Sequence, residues 1–184
     1  EGKGKTTAAL GLVLRAVGYK KKCLIVQFGK AWFTGELVGI KKLSPYVKII
    51  QGGKGFLDIL GSKVSKADHI KAAEEAFDML YKEVMSDKWD VVVADEIVGA
   101  AHSKVLYLTK VLQLIKDKPQ GLDLILTGRY ASKSLIEKAD ENGAEHSLIL
   151  SNLGITEEEA APILKELLSE GEIYQNRPGR YKVI

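Results

Sequence analysis

The residues best suited to chemistry stand at the start of the chain, in the run Gly2-Lys3-Gly4-Lys5-Thr6-Thr7. Glycines let backbone N–H groups curl around phosphate oxygens, Lys5 can reach the β- and γ-phosphates, and the Thr6 hydroxyl can ligate Mg²⁺. An apolar helical pattern follows at 8–17, so a helix N-terminus would add its dipole to the same anion site. The run predicts a site for a nucleoside triphosphate with Mg²⁺, and the alternative is a chance turn rich in Gly and Lys.

A pair of carboxylates, Asp95 and Glu96, follows the apolar run at 89–94. A carboxylate at the end of a buried strand can hold Mg²⁺ through water, as it does in nucleotide-hydrolysing folds. Glu96 could bind Mg²⁺ or polarise a water molecule. The predicted metal residues are therefore Thr6, Asp95 and Glu96. The alternative is a pair of acidic residues that stabilises a helix N-terminus.

A third constellation is Thr127-Gly128-Arg129, which follows the apolar run at 122–126. An arginine at the end of a strand can contact phosphate or another anion, and the alternative is a surface arginine in a turn.

Two further loops, at 27–32 and 52–56, combine glycine, lysine and aromatic residues. Flexible loops of this kind could cover a large flat ligand, whereas the alternative is ordinary core aromatics and turns. The residues of interest are Phe28, Lys30, Trp32 and Phe56.

Composition excludes several other kinds of site. His69, His102 and His146 lie far apart, and no His/Cys spacing suggests zinc, so we expect surface or structural roles for all three. The single Cys23 predicts a buried structural thiol in a reducing compartment, which favours the cytoplasm. No apolar run is long enough to span a membrane. A net charge of +3 implies no obligatory polyanion partner.

Short apolar runs alternate with helical patterns along the first three quarters of the chain. Strands are predicted at 23–26, 47–50, 89–94 and 122–126, and helices at 8–17, 35–43, 66–85, 105–115 and 132–139. This alternation predicts an α/β fold with a parallel sheet, and ligands bind such sheets at the carboxyl ends of the strands. The polar and glycine residues after each strand fit that expectation.

The segment 141–184 differs in charge, since it carries 4 basic and 8 acidic side chains in a chain that is basic overall. Thr156 and Glu159 predict a capping box at the start of a helix to about Ser169, whose inward residues would be Ile163, Leu164, Leu167 and Leu168. A β-hairpin is predicted over 172–184. We therefore expect a nucleotide-binding domain at 1–140 and a separate module at 141–184.

This module resembles a winged helix-turn-helix, similar to the C-terminal domains of archaeal replicative helicases. Contact with DNA would use Arg177, Arg180 and Lys182 on phosphates, but the acidic start of the helix favours protein contact or dimerisation instead.

We also expect residues to be missing near Asp140-Glu141. Another glycine and a buried strand, which the complete phosphate-loop pattern requires, should precede Glu1.

The motifs in series resemble those of the P-loop type ATP:corrinoid adenosyltransferases. The matching pieces, in the family's order, are 2–9, 26–28 with Lys30, 35–36, 55–56, 93–96, 126–129 and 135–140. The resemblance implies a RecA-like parallel sheet with helices on both faces. It also implies a reaction in which Co(I) of a reduced corrinoid attacks the 5′-carbon of ATP and inorganic triphosphate leaves.

Roles for individual residues follow from the resemblance. ATP would be bound by Gly2, Lys3, Gly4, Lys5, Thr6, Thr7 and Arg129, and Mg²⁺ by Thr6, Asp95 or Glu96. The corrinoid would lie against Phe28, Lys30, Trp32 and Phe56, and the residues nearest to catalysis would be Lys5, Glu96 and Phe56. The implied partners are ATP, the corrinoid and an electron-donating reductase, with a homodimer as a further option. Two other interpretations stay open. One is a DNA-associated RecA-like ATPase. The other is a nucleotide-binding regulatory protein, which is favoured by Asp58 at the position where the family typically has a second aromatic residue.

Overall fold

The computed structural model describes residues 3–53, 55, 65–140, 144–145, 156–170, 173–177 and 180–183. It falls into two compact units, Glu1–Ser132 and Lys133–Ile184. The functional division into 1–140 and 141–184 stays a prediction. Within the described ranges, no helix is both long enough and apolar enough to cross a membrane.

The first unit is built on a four-stranded parallel sheet, as the sequence predicts. Its strands are β1 (Cys23–Phe28), β2 (Val47–Gly52), β3 (Val91–Asp95) and β4 (Asp123–Leu126), in the order β2-β1-β3-β4. Every residue of β1 and β3 is buried. Continuous Val, Ile and Leu runs form such strands because both faces of a central parallel strand are covered.

Helices cover both faces of this sheet. They are α1 (Lys5–Gly18), α2 (Glu36–Lys41), α3 (Lys66–Val84), α4 (Ile97–His102) and α5 (Leu108–Asp117). On one face, Ala9 and Val13 of α1 share a buried cluster with Cys23 and Ile25. Alternate residues of β1 point to the opposite face, and α3 packs against β1 and β2.

The prediction of one helix over 105–115 is wrong at its beginning. Helix α4 starts directly after Glu96, and α5 begins only at Leu108. Glu96 has a φ of 63°, a left-handed turn that carries the chain from β3 straight into α4. A six-residue helix without a Ser, Thr, Asp or Asn cap gives too few turns for a periodic pattern to be recognised.

The second unit contains α6 (Lys133–Asp140), β5 (Ala144–Glu145), α7 (Glu157–Ser169), β6 (Ile173–Arg177) and β7 (Arg180–Val183). Its three strands form an antiparallel sheet in the order β5-β7-β6, which confirms the hairpin. Both hydrogen bonds of the predicted capping box are present at the start of α7.

The predicted inward face of α7 is partly wrong. Ile163 and Leu168 are 52% and 38% exposed, whereas Ala160 and Leu164 are buried. Ala160, Leu164 and the half-buried Leu167 follow one another at intervals of four and three residues, so the buried stripe runs through these positions. Ile163 lies beside this stripe, and Leu168 lies at the end of the helix, in its last turn. The apolar stretch predicted at 147–153 lies outside the described residues.

Candidate active site

Three segments meet at the carboxyl edge of the parallel sheet: the start of α1, the end of β3 and the residues after β4. Asp95 is only 1% exposed, and its Oδ1 accepts hydrogen bonds from Thr6 Oγ1 at 2.8 Å and from Thr127 Oγ1 at 2.7 Å. Two of the three predicted metal residues are thereby brought together from opposite halves of the unit. Because the Thr6 hydroxyl gives its proton to Asp95, its lone pairs are left for a cation.

The other carboxylate oxygen of Asp95 faces a cation of the protein itself. Asp95 Oδ2 accepts from Lys30 Nζ at 3.0 Å and from Gln27 Nε2 at 3.2 Å. Both donors also reach Glu36 Oε1, each at 3.2 Å. The resulting cluster of Gln27, Lys30, Glu36 and Asp95 ties the first loop after β1 to the end of β3.

The environment keeps both Lys30 and Glu36 charged. Burial lowers the pKa of Lys30, but hydrogen bonds and charge attraction from Asp95 and Glu36 outweigh it and raise that pKa above its usual value. Burial opposes ionisation of Glu36, yet its own backbone N–H and the side chains of Gln27 and Lys30 lower the pKa to about 2. At neutral pH Lys30 is therefore an ammonium and Glu36 a carboxylate.

The start of α1 has the geometry of an anion site. Gly4 has a φ of 96°, a conformation that favours glycine, and the first helical hydrogen bond runs from the Ala8 N–H to the Gly4 carbonyl at 2.8 Å. The backbone N–H groups of Lys5, Thr6 and Thr7 precede that bond, as the donors of a phosphate site do. Lys3 is exposed beside them, and Gly2 lies outside the described residues.

Glu96 faces a different environment from Asp95. Its backbone N–H donates to Thr127 Oγ1 at 2.9 Å, and its carboxylate lies over Gly99 in the first turn of α4. There it lines a cavity of about 430 Å³ at the same edge of the sheet. Thr127 thus contacts both acidic residues, through its hydroxyl proton to Asp95 and its oxygen to Glu96.

The cavity collects several residues that the sequence singles out and several that it does not. Phe28, Glu96 and Arg129 line it as candidates from the sequence, together with the apolar Ala73, Ala100 and Val105. His69, His102 and Tyr130 also line it, although the sequence assigned both histidines surface or structural roles. The rings of His102 and Tyr130 stack with centroids 4.5 Å apart. In the sequence, Tyr130 could have been suspected as a cavity residue only from its position directly after Arg129.

The described parts of the two aromatic loops lie side by side. A Cβ added at Gly53 would lie 2.6 Å from the backbone nitrogen of Gly29, and one added at Gly55 would touch the Trp32 ring at 3.7 Å. Trp32 is 42% exposed, and its carbonyl accepts a hydrogen bond from Gln51 at 3.2 Å. Phe56 and Asp58 lie outside the described residues.

The described residues contain no group of three His, Cys, Asp or Glu side chains placed to hold a metal ion. The donor set instead fits a hard cation that arrives with phosphate oxygens. The Thr6 hydroxyl would be its ligand from the protein, and Asp95 would accept hydrogen bonds beside it. This arrangement can hold a Mg²⁺-bound triphosphate next to an apolar cavity.

Comparisons with known proteins match this chain to one family. Residues 1–144 match the family model described as ATP:corrinoid adenosyltransferase BtuR/CobO/CobP. The chain is 32% identical over 143 residues to the corrinoid adenosyltransferase of Sinorhizobium sp. The aligned region covers 76% of this chain and 65% of that protein. It is 32% identical over 141 residues to the Escherichia coli K12 enzyme and 33% identical over 140 residues to that of Pseudomonas aeruginosa, covering 69% and 68% of their lengths. The chain thus spans about two thirds of each relative.

Proposed function

This chain belongs to the ATP:corrinoid adenosyltransferase family, and on that premise we propose that it transfers the 5′-deoxyadenosyl group of ATP to the Co(I) centre of a reduced corrinoid. The cobalt electron pair forms the Co–C bond, the bond from C5′ to oxygen breaks, and triphosphate leaves with the electron pair of that broken bond. The observation that carries the proposal is the Thr6–Asp95–Thr127 arrangement beside the cavity.

The nucleotide side of the site consists of the start of α1 and the end of β3. We propose that the ATP triphosphate is bound by the loop residues Gly2, Lys3, Gly4, Lys5, Thr6 and Thr7, with Arg129 as a further cationic contact. Mg²⁺, held by the Thr6 hydroxyl, would neutralise part of the charge on the departing triphosphate. Asp95 orients Thr6, because Oδ1 already accepts from two hydroxyl groups.

The acceptor side consists of the cavity and the two aromatic loops. Phe28, which lines the cavity, Trp32, which is 42% exposed, and Phe56 are proposed to contact the corrinoid. The cavity of about 430 Å³ holds an adenosyl-sized group rather than a whole corrinoid, so most of the acceptor would lie outside it. Its apolar walls keep water away from the carbon being transferred, and Glu96 and Arg129 supply polar contacts.

Finer features of the proposal concern the fold and the partners. Residues 1–140 are proposed to form a RecA-like P-loop domain, and residues 141–184 a winged-helix-like module for protein contact or dimerisation rather than for DNA. A reductase would deliver the electron that generates Co(I), and the reaction would take place in the cytoplasm.

Purified protein incubated with ATP, Mg²⁺ and a chemically reduced Co(I) corrinoid tests the activity. We expect the Co(I) absorbance to decay into that of a light-sensitive adenosyl product, with one triphosphate released for each Co–C bond. Thr6→Ala should remove this activity, whereas Thr109→Ala, at an exposed threonine of α5, should keep it. Phosphate release that DNA stimulates, without any Co–C bond, would overturn the proposal in favour of a DNA-associated ATPase.

A further inference from the structure

Lys30 and Glu36 form a largely buried ion pair, and Lys30 also pairs with Asp95. We infer that these two residues position Asp95 for binding of Mg²⁺-nucleotide, and that Lys30 does so instead of contacting the corrinoid. The inference rests on the proposed function, since it assigns roles within the same nucleotide site. Neither residue would touch ATP; both act through Asp95.

The hydrogen bonds around Asp95 show how the positioning works. Each carboxylate oxygen has two donors: Thr6 and Thr127 on Oδ1, Lys30 and Gln27 on Oδ2. A carboxylate held on both oxygens cannot rotate about its Cβ–Cγ bond without losing contacts on each side. Lys30 therefore helps to fix the plane of the Asp95 carboxylate relative to Thr6.

Glu36 holds Lys30 in the orientation that this requires. Glu36 Oε1 accepts from Lys30 Nζ and from Gln27 Nε2, so both donors bridge the two carboxylates. Without the ammonium, two largely buried carboxylates would share the single amide of Gln27. Their repulsion would turn Asp95 away from its present position.

Burial separates this cluster from ordinary surface ion pairs. The side chains of Lys30, Glu36 and Asp95 are 12%, 18% and 1% exposed, whereas those of the Lys21–Asp90 pair are 54% and 37% exposed. The three charges of the buried cluster sum to one negative charge, which favours a cation beside Thr6. An isolated buried charge would be costly, so each member depends on the others.

The cluster extends towards the acceptor loop. Gln51 Nε2 donates both to Gln27 Oε1 and to the carbonyl of Trp32, each at 3.2 Å. A measurement on nucleotide alone, with no corrinoid present, is therefore needed to isolate the effect on Asp95.

The experiment compares ATP affinity in Mg²⁺ with ATP affinity in EDTA by calorimetry, for the wild type and for Lys30→Met. Residues that support a metal ligand typically change metal affinity 10- to 100-fold. Lys30 acts one contact further out, through Asp95 on Thr6, so we expect Lys30→Met to reduce the Mg²⁺-dependent gain in ATP affinity about tenfold, the lower end of that range, and to leave the affinity in EDTA nearly unchanged. Lys30→Arg keeps the charge and should recover most of the gain, and Lys21→Met is the matched control with no effect.

An unchanged or larger Mg²⁺-dependent gain in Lys30→Met overturns the inference, because Lys30 would then be an acceptor contact or a competitor of the metal. If Lys30→Met does not fold, Glu36→Gln decides: it should reduce the gain in the same direction, and no reduction overturns the inference. If Mg²⁺ increases the ATP affinity of the wild-type protein but no Co–C bond forms, the proposed function is contradicted and the roles of Lys30 and Glu36 still hold.

Discussion

Glu36→Gln tests whether the charge of Glu36 stabilises the folded first unit. The folded pKa of about 2 lies well below the ordinary value of 4.5, so ionisation of Glu36 favours the folded state. Its stabilisation is fully present above pH 4.5 and is lost as the pH falls towards 2. At 1.36 kcal/mol per pKa unit, the charge of Glu36 stabilises the folded state by about 3 kcal/mol at neutral pH. About 2 kcal/mol of this stabilisation is lost when the pH falls to 3.

The assay is urea unfolding of both proteins between pH 7 and pH 3, followed by tryptophan fluorescence. Trp32 and Trp89 both lie in the first unit and report its unfolding. Other carboxylates with a lowered pKa, such as Asp90, titrate equally in both proteins, so the difference between the two free energies isolates Glu36. We expect that difference to shrink by about 2 kcal/mol from pH 7 to pH 3. A difference that does not change with pH would refute the stabilising role of the charge.

Three further outcomes follow from particular contacts. Gly128→Ala should destabilise the first unit by about 2–3 kcal/mol in urea unfolding. The reason is that its φ is 143° and a Cβ would lie 2.5 Å from the Gly99 nitrogen, whereas Gly121→Ala, with open space, should cost little. Burial raises the pKa of Cys23 to about 11, so a thiol reagent at pH 8 should label it only in unfolded protein. Thr156→Ala should cost about 1 kcal/mol of α7 stability, seen as lower helicity on heating by circular dichroism.

The sheet and the meeting of Thr6 with Asp95 were predictable because both depend on short-range pattern and one general rule. The runs 23–26 and 89–94 contain enough apolar residues to identify buried strands, which the structure places at Cys23–Phe28 and Val91–Asp95. Ligands collect where parallel strands end, so residues at strand ends were expected to converge with the phosphate loop. That reasoning placed Asp95 correctly without any knowledge of distances.

The direction of a loop side chain was not predictable in the same way. Lys30 stands among glycine and aromatic residues, which suggests an exposed ligand contact, yet its ammonium is buried between Asp95 and Glu36. Whether a lysine turns inward depends on carboxylates supplied by other elements, and spacing along one loop does not contain that information. The stacking of His102 on Tyr130 depends in the same way on α4 and on the segment after β4.

The two consecutive carboxylates at the end of β3 serve different sides of the proposed site because of one backbone angle. Asp95 is the last residue of the strand and is buried among four donors, which leaves its position fixed. The φ of 63° at Glu96 then turns the chain and directs the next carboxylate into the cavity. Transfer of an adenosyl group requires a charged side that neutralises triphosphate and a drier side that admits the acceptor. The left-handed residue Glu96 separates those two environments. Thr127 hydrogen-bonds to both Asp95 and Glu96 and so fixes their positions relative to each other.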